Sequence, residues 1–183
     1  MNNLGMTPSD ITDPQNVVQL QIARALSGVS CAMPVKVVAV NSVNKTVDIH
    51  ILVTLSNADG VSIPHKTIYA CPYCTVASGT SAILLTPTVG DVGLAVFADR
   101  DISGVVRLAG AKDAPAASTR THDYADAIYI GALGFGIAAA TQFISFTPTG
   151  IEIVAPSVKI NGIDFATHYH YVAAAPGNSG PAL

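Results

Sequence analysis

Pro34-Val-Lys-Val-Val-Ala-Val40 and Thr46-Val-Asp-Ile-His-Ile-Leu-Val-Thr-Leu55 are β-branched runs, separated by Asn41-Ser-Val-Asn-Lys45. Branched side chains fit a pleated surface, and the intervening Asn and Ser are turn residues. The two runs therefore predict a β-hairpin. Outward from it, Asn57-Ala-Asp-Gly60 reads as a further turn, and Lys66-Thr-Ile-Tyr-Ala70 and Ala82-Ile-Leu-Leu-Thr86 as strands. Val89-Gly-Asp-Val-Gly-Leu-Ala-Val-Phe-Ala98 predicts a turn and a strong strand, and Val105-Val-Arg-Leu108 a weaker one. After the loop 109–121, Ile128-Tyr-Ile130 returns to a strand. Short strands with Gly and Asp turns predict a small closed barrel of the OB type, because closure removes edges that would otherwise aggregate.

Upstream, residues 1–12 read as a loose arm. Asp13-Pro14 is a helix start, with Asp as N-cap and Pro in the first turn. Val17, Val18, Leu20, Ile22, Ala25 and Leu26 follow at roughly helical spacing, and Gly28 ends the helix. It is short, amphipathic and without a basic face, which points to packing on a neighbour rather than on a membrane surface.

Composition narrows the function. Half of the 183 residues are hydrophobic and only 11% are charged, well below the quarter typical of soluble domains. Burial between chains is the expected explanation. A net charge of -3, with few and scattered Lys and Arg, gives no footing for nucleic acid. The N-terminus has no signal-peptide pattern, and no apolar run approaches a membrane span.

Three cysteines are an odd number for a disulfide framework. Cys71-Pro-Tyr-Cys74 has redox spacing, but such a thiolate needs a helix N-terminus, and the motif follows a β-like stretch. It reads as a reduced pair in a strand or loop. His122-Asp123 are sequence neighbours and make no catalytic pair by themselves, Asp99-Arg100-Asp101 reads as an ion pair at a strand end, and no G-x-S-x-G nucleophile motif is present. The chain is expected not to be an enzyme.

Downstream the pattern changes. Phe143-Ile-Ser-Phe-Thr147 is a short aromatic strand. In 150–165, Ile151, Ile153, Val158, Ile160, Ile163 and Phe165 largely alternate with Glu152, Lys159 and Asp164, with turns at 148–150 and 161–162. One chain cannot bury such a ribbon. Three wound together can, with the apolar row inside, in the manner of a β-solenoid; a plain hairpin on the barrel is the simpler alternative.

The ribbon leads to Thr167-His-Tyr-His170. In an extended chain His168 and His170 point to the same side. Two imidazoles make a poor metal site, whereas three chains on an axis supply six. Imidazole suits iron, nickel, copper and zinc, and a six-ligand octahedron argues against zinc. The tail 171–183, mostly Ala, Pro, Gly and Ser, reads as a thin cap.

Nearly the whole chain resembles the central spike proteins of contractile phage tails, of the Mu-like baseplate type. The resemblance rests on the helix and Met33-Pro-Val-Lys-Val37, on Val89–Ile102 and Arg120–Gly131, and on Ile160-Asn-Gly-Ile-Asp164 through Thr167-His-Tyr-His170 to Pro176-Gly177. It implies a mainly β homotrimer: an arm and helix over 1–32, an OB-fold barrel over 33–132, a β-helical shaft over 133–160 and a metal-binding apex over 161–183. It also implies one iron ion per trimer, held by His168 and His170 of each chain. The implied setting is the tip of the virion's tail baseplate, after synthesis in the host cytoplasm. The implied partners are a tail tube or baseplate hub protein and, transiently, the host outer membrane, which the spike perforates on contraction. The competing expectation is an OB-fold module binding oligosaccharide or nucleic acid.

Overall fold

The structure is a computed structural model that describes residues 14–57, 59–136 and 140–168. The chain divides into two units, residues 1–137 and 138–183. The expected arm and the Asp13 cap lie outside the described residues.

The first unit begins with helix α1, Pro14–Ser27. Gly28 N–H donates to Ala25 O (3.3 Å) and Val29 N–H to Leu26 O (3.0 Å), which closes the helix where the glycine predicts. Val18, Ile22 and Leu26, one stripe at i, i+4 spacing, are exposed. The packing partner expected for this helix is therefore not within the described chain.

The hairpin of the two β-branched runs forms as expected: β1, Ala32–Asn41, pairs antiparallel with β2, Thr46–Ile51. The turn between them is closed by Asn44 N–H donating to Asn41 Oδ1 (3.0 Å). Val47, Ile49 and Ile51 alternate inward on β2, as period-2 geometry requires. On β1, Val35 and Val37 are buried, and then the register shifts between Val37 and Ala39. This bulge lets two residues face one, leaving Val38 and Ala39 both outward and bringing Val40 back against the core.

Two hairpins follow along the chain, β3 (Leu55–Ser56) with β4 (Ser62–Ile63), and, after β5 (Ile68–Pro72), β6 (Val76–Ser78) with β7 (Ser81–Ile83). The strands expected at 66–70 and 82–86 thus lie at 68–72 and 81–83. β5 starts where Ile68 meets Ile49, and β7 stops where its partner begins, at Val76 opposite Ile83. β8 is Val92–Phe97 and β9 is Ala127–Ala132. The sheet order is β5-β2-β1-β8-β9, with every neighbouring pair antiparallel.

The sheet curls until its edges meet. Tyr73 forms a parallel bridge with Tyr129, and Cys74 N–H donates to Tyr129 O (2.9 Å). The result is a curled antiparallel half-barrel around Val35, Val37, Ile49, Ile51, Phe97 and Tyr129. Each such side chain contributes about 1.5–3 kcal/mol by leaving water. Gly93 is where the inside is tightest: the Tyr129 ring and the Gly131 carbonyl occupy the space a Cβ would need.

One expected strand is a helix. Val105–Leu108 falls largely in α2, Ser103–Arg107. The cause lies just upstream: the Asp126 carboxylate accepts from Ile102 N–H (3.1 Å) and the Asp101 carboxylate from Ser103 N–H (2.9 Å). Satisfying amide donors at this end favours a helical turn, and that outweighs the β preference of two adjacent valines.

Cys71 is buried in β5, while Cys31 and Cys74 are exposed, and all three thiols are free. Burial, then the Asp48 charge, push the Cys71 thiol up to about 12. At pH 8 an alkylating reagent should modify Cys31 and Cys74 rapidly and Cys71 only on unfolding. Peptide mass mapping checks this, and early labelling of Cys71 would contradict the closed core.

The second unit holds two hairpins. β10, Phe143–Thr147, pairs with β11, Gly150–Val154, and β12, Lys159–Ile160, with β13, Ile163–Asp164. None of residues 140–168 is buried.

Candidate functional site

The register of β10 and β11 gathers four of their apolar residues on one face. Ile144 lies opposite Ile153 and Phe146 opposite Ile151. These four share one face of the ribbon, because side chains two apart point the same way. The other face carries Phe143 opposite Val154, Ser145 opposite Glu152 and Thr147 opposite Gly150. The apolar four are 53–80% exposed. An isolated hairpin is marginal in water, so this face is built to be covered.

β12 and β13 are joined at Asn161 (φ 50°) and Gly162 (φ 82°). Two consecutive positive φ values make the tight turn that suits a twisted hairpin, and Asn-Gly is the sequence that adopts it most readily. The strand end is then tied down. Asp164 Oδ2 accepts from Ser157 Oγ–H (2.6 Å) and Oδ1 from Ala166 N–H (3.0 Å), and Phe165 N–H donates to Val158 O (2.8 Å). The Ser157 bond first, then the Ala166 amide, hold the Asp164 carboxyl below the usual carboxylate range.

These ties place His168. Its Nδ1 lies 2.6 Å from Phe165 O, and its ring is tilted 33° against the Phe165 ring at 5.4 Å. A carbonyl only accepts, so Nδ1 carries the proton in this contact. A backbone carbonyl orienting one imidazole nitrogen is the usual support of a metal-binding histidine. His170 lies outside the described residues. Among the described residues, no three His, Cys, Asp or Glu side chains group as a metal site.

A second polar cluster, in the first unit, was not legible from spacing. Arg120 Nε and Nη2 donate to the two Asp126 oxygens (3.1 Å each), and Nη2 also lies 3.1 Å from Asp101 Oδ1. Ser118 Oγ–H donates to Asp101 Oδ2 (2.6 Å). Both carboxylates are buried. The cluster ties the loop before β9 to the start of α2. In the Asp99-Arg100-Asp101 run, Arg100 meets Asp99 at 3.8 Å with both exposed, while Asp101 is paired with Arg120. His122 Nε2 lies 2.9 Å from Asp99, and the Asp123 carboxylate accepts from Ala125 N–H (2.8 Å).

Hydrogen bonds from the Ser103 and Ser118 side chains and the Ser103 amide, with the Arg120 charge, hold the Asp101 carboxyl at about 2. The unfolded value is about 3.9. A carboxyl depressed in the fold stabilises above its unfolded value and loses that contribution as pH falls through its folded value. Asp101→Asn should therefore be less stable than the parent at neutral pH, with the gap closing between about pH 4 and pH 2. Urea unfolding across that window checks this; a constant gap would show that the ionised form contributes nothing.

The half-barrel also carries an open cleft of about 540 Å³, lined by residues that include Ile51, His65, Lys66, Tyr69 and Tyr124. One lysine in its lining is a thin footing for a phosphate backbone.

A mainly β phage protein is the class to which these observations lead once compared with known families. Residues 33–132, the half-barrel together with its loops, match the family model described as Phage protein Gp138 N-terminal domain. The match covers more than half of the chain, and the chain belongs to that family. No curated protein matches it.

Proposed function

We propose that this chain is one protomer of a trimeric central spike of a contractile tail baseplate, a virion component that perforates the host outer membrane on contraction. The observation that carries the reading is the ribbon face of Ile144, Phe146, Ile151 and Ile153, which is apolar, regular and uncovered in the single chain. Three copies cover such a face by winding it inward. Membership of a phage protein family supports the setting. The five-stranded, partly open barrel with one parallel seam supports an OB-type collar at its base.

In this reading the spike is structural and not an enzyme. Its partners are a tail tube or hub protein above and, briefly, the membrane below, with no nucleic acid. Among the described residues no helix is long and apolar enough to cross a membrane, and penetration is mechanical.

The donor set fits an iron ion at the apex. His168, whose Nδ1 is oriented by the Phe165 carbonyl, and His170 are the proposed ligands of each chain. Six imidazoles from three chains suit iron better than zinc. Bound metal converts binding free energy into resistance against fraying at the strand ends.

Native mass spectrometry tests both parts at once. The expected mass is three chains with one iron. His168→Ala combined with His170→Ala should lose the metal completely and remain a trimer. Metal retained at full stoichiometry in that variant would exclude the site, and a metal-free monomer in the parent would exclude the spike.

A further inference from the structure

A cleft of about 190 Å³ lies between the β6–β7 hairpin and β9. Its walls are mostly aliphatic, Val76, Ile83, Leu85 and Ile130 among them. Among the described residues of its lining Asp91 alone is charged. Thr88 holds that carboxylate in place: its N–H donates to Asp91 Oδ2 and its Oγ–H to Oδ1, each at 2.8 Å. An ionised carboxylate has about four acceptor positions, so both oxygens can accept again. Tyr129 lines the same cleft and is 2% exposed, yet its hydroxyl has no hydrogen-bond partner among the described residues. Burial, then the Asp91 charge, raise the Tyr129 phenol, so the hydroxyl keeps its proton and lies within range of that carboxylate. A buried polar group without a partner is costly, and in a native protein it calls for an explanation.

We infer that this cleft binds a primary alkylammonium group, its charge held by the Asp91 carboxylate and the Tyr129 hydroxyl and its aliphatic stem laid on the apolar wall. Each part of the lining selects this class. The carboxylate attracts a cation and repels an anion. A phenol oxygen accepts a hydrogen bond, and an ammonium group has three to donate, enough for the hydroxyl and the carboxylate together. The aliphatic wall favours a cation that carries an apolar stem, in the way lysine stems lie along apolar surface. The space agrees: 190 Å³ is about six times a water molecule's share of the liquid, room for a stem of about four carbons and its head group. Such an amine is charged at neutral pH, as lysine is. It can come from a free small amine or from a lysine side chain of another protein. The inference is independent of the proposed spike.

The test uses the full chain with isotope-labelled tyrosine, so that the Tyr129 ring is followed by NMR. Butylammonium chloride should shift the Tyr129 signal saturably. Butan-1-ol, with the same stem and no charge, should bind about tenfold more weakly, and sodium butyrate should not bind. Tyr129→Phe and Asp91→Asn, each checked for an unchanged circular dichroism spectrum, should weaken butylammonium about tenfold, read from saturation transfer to the ligand. Asp91→Asn should leave butan-1-ol binding as it was. Equal binding of butylammonium and butan-1-ol, or butylammonium affinity unchanged in both variants, would overturn the inference; the cleft is then an apolar recess whose hydroxyl bonds to water. Nα-acetyl-lysine methylamide separates the two sources. Binding at least as tight as butylammonium's identifies a protein-borne lysine, and weaker binding a free amine. None of these readouts involves iron or assembly, so failure of the spike reading would leave a positive result standing.

Discussion

Asp126→Ala should destabilise the protein by about 3 kcal/mol, or a fall in melting temperature of about 10 °C for a chain of this size. Asp126 is 1% exposed. It accepts both Arg120 bonds and the Ile102 amide proton. Alanine removes these acceptors together and leaves the Ile102 N–H without its carboxylate partner, the expensive half of any hydrogen-bond deletion. Asp126→Asn should cost roughly half as much, because an amide oxygen still serves one donor. Thermal unfolding followed by circular dichroism measures both. A value for the alanine variant within about 0.5 kcal/mol of the parent, the range of ordinary surface changes, would mean that the cluster does not hold the loop to the helix.

Gly93→Ala should be comparably damaging, about 3 kcal/mol, at the upper end of overpacking costs. A methyl group there runs into the Gly131 carbonyl and the Tyr129 ring, whose hydroxyl is buried with no hydrogen-bond partner among the described residues. The backbone carbonyl cannot yield without disturbing β8–β9 pairing. Adding Tyr129→Leu should return part of the loss, since the ring is one of the two obstacles, and the two changes should be measurably non-additive. Strict additivity in urea unfolding would show that the ring is not what excludes a side chain at position 93.

Much of this architecture was legible because it rests on local signals. Pro34–Val40 and Thr46–Leu55 carry their own turn, and the Asn161-Gly162 hairpin declares itself in two letters. What escaped depends on residues distant in sequence. Val105 and Val106 look like a strand until the Asp101 and Asp126 carboxylates are placed at the amides before them. Arg120 lies 19 positions from Asp101, and no spacing rule joins them; the loop must fold back first. The Val38 bulge was equally hidden, since a run of valines fits either register. For the candidate site, the residue type pointed to His168, but its orienting partner, the Phe165 carbonyl, is a backbone atom that no side-chain pattern reveals.

The bare face of the β10–β11 ribbon ties part of this protein to mass action. The half-barrel encloses its own core. The ribbon, under the proposed assembly, has no stable form apart from its copies, so its stability varies with protomer concentration. Each newly made chain must then survive an interval with that face open, when the same alternating strands that build the shaft can pair with unrelated ones. Selection on this sequence therefore acts on the yield of correct encounters as well as on the finished particle.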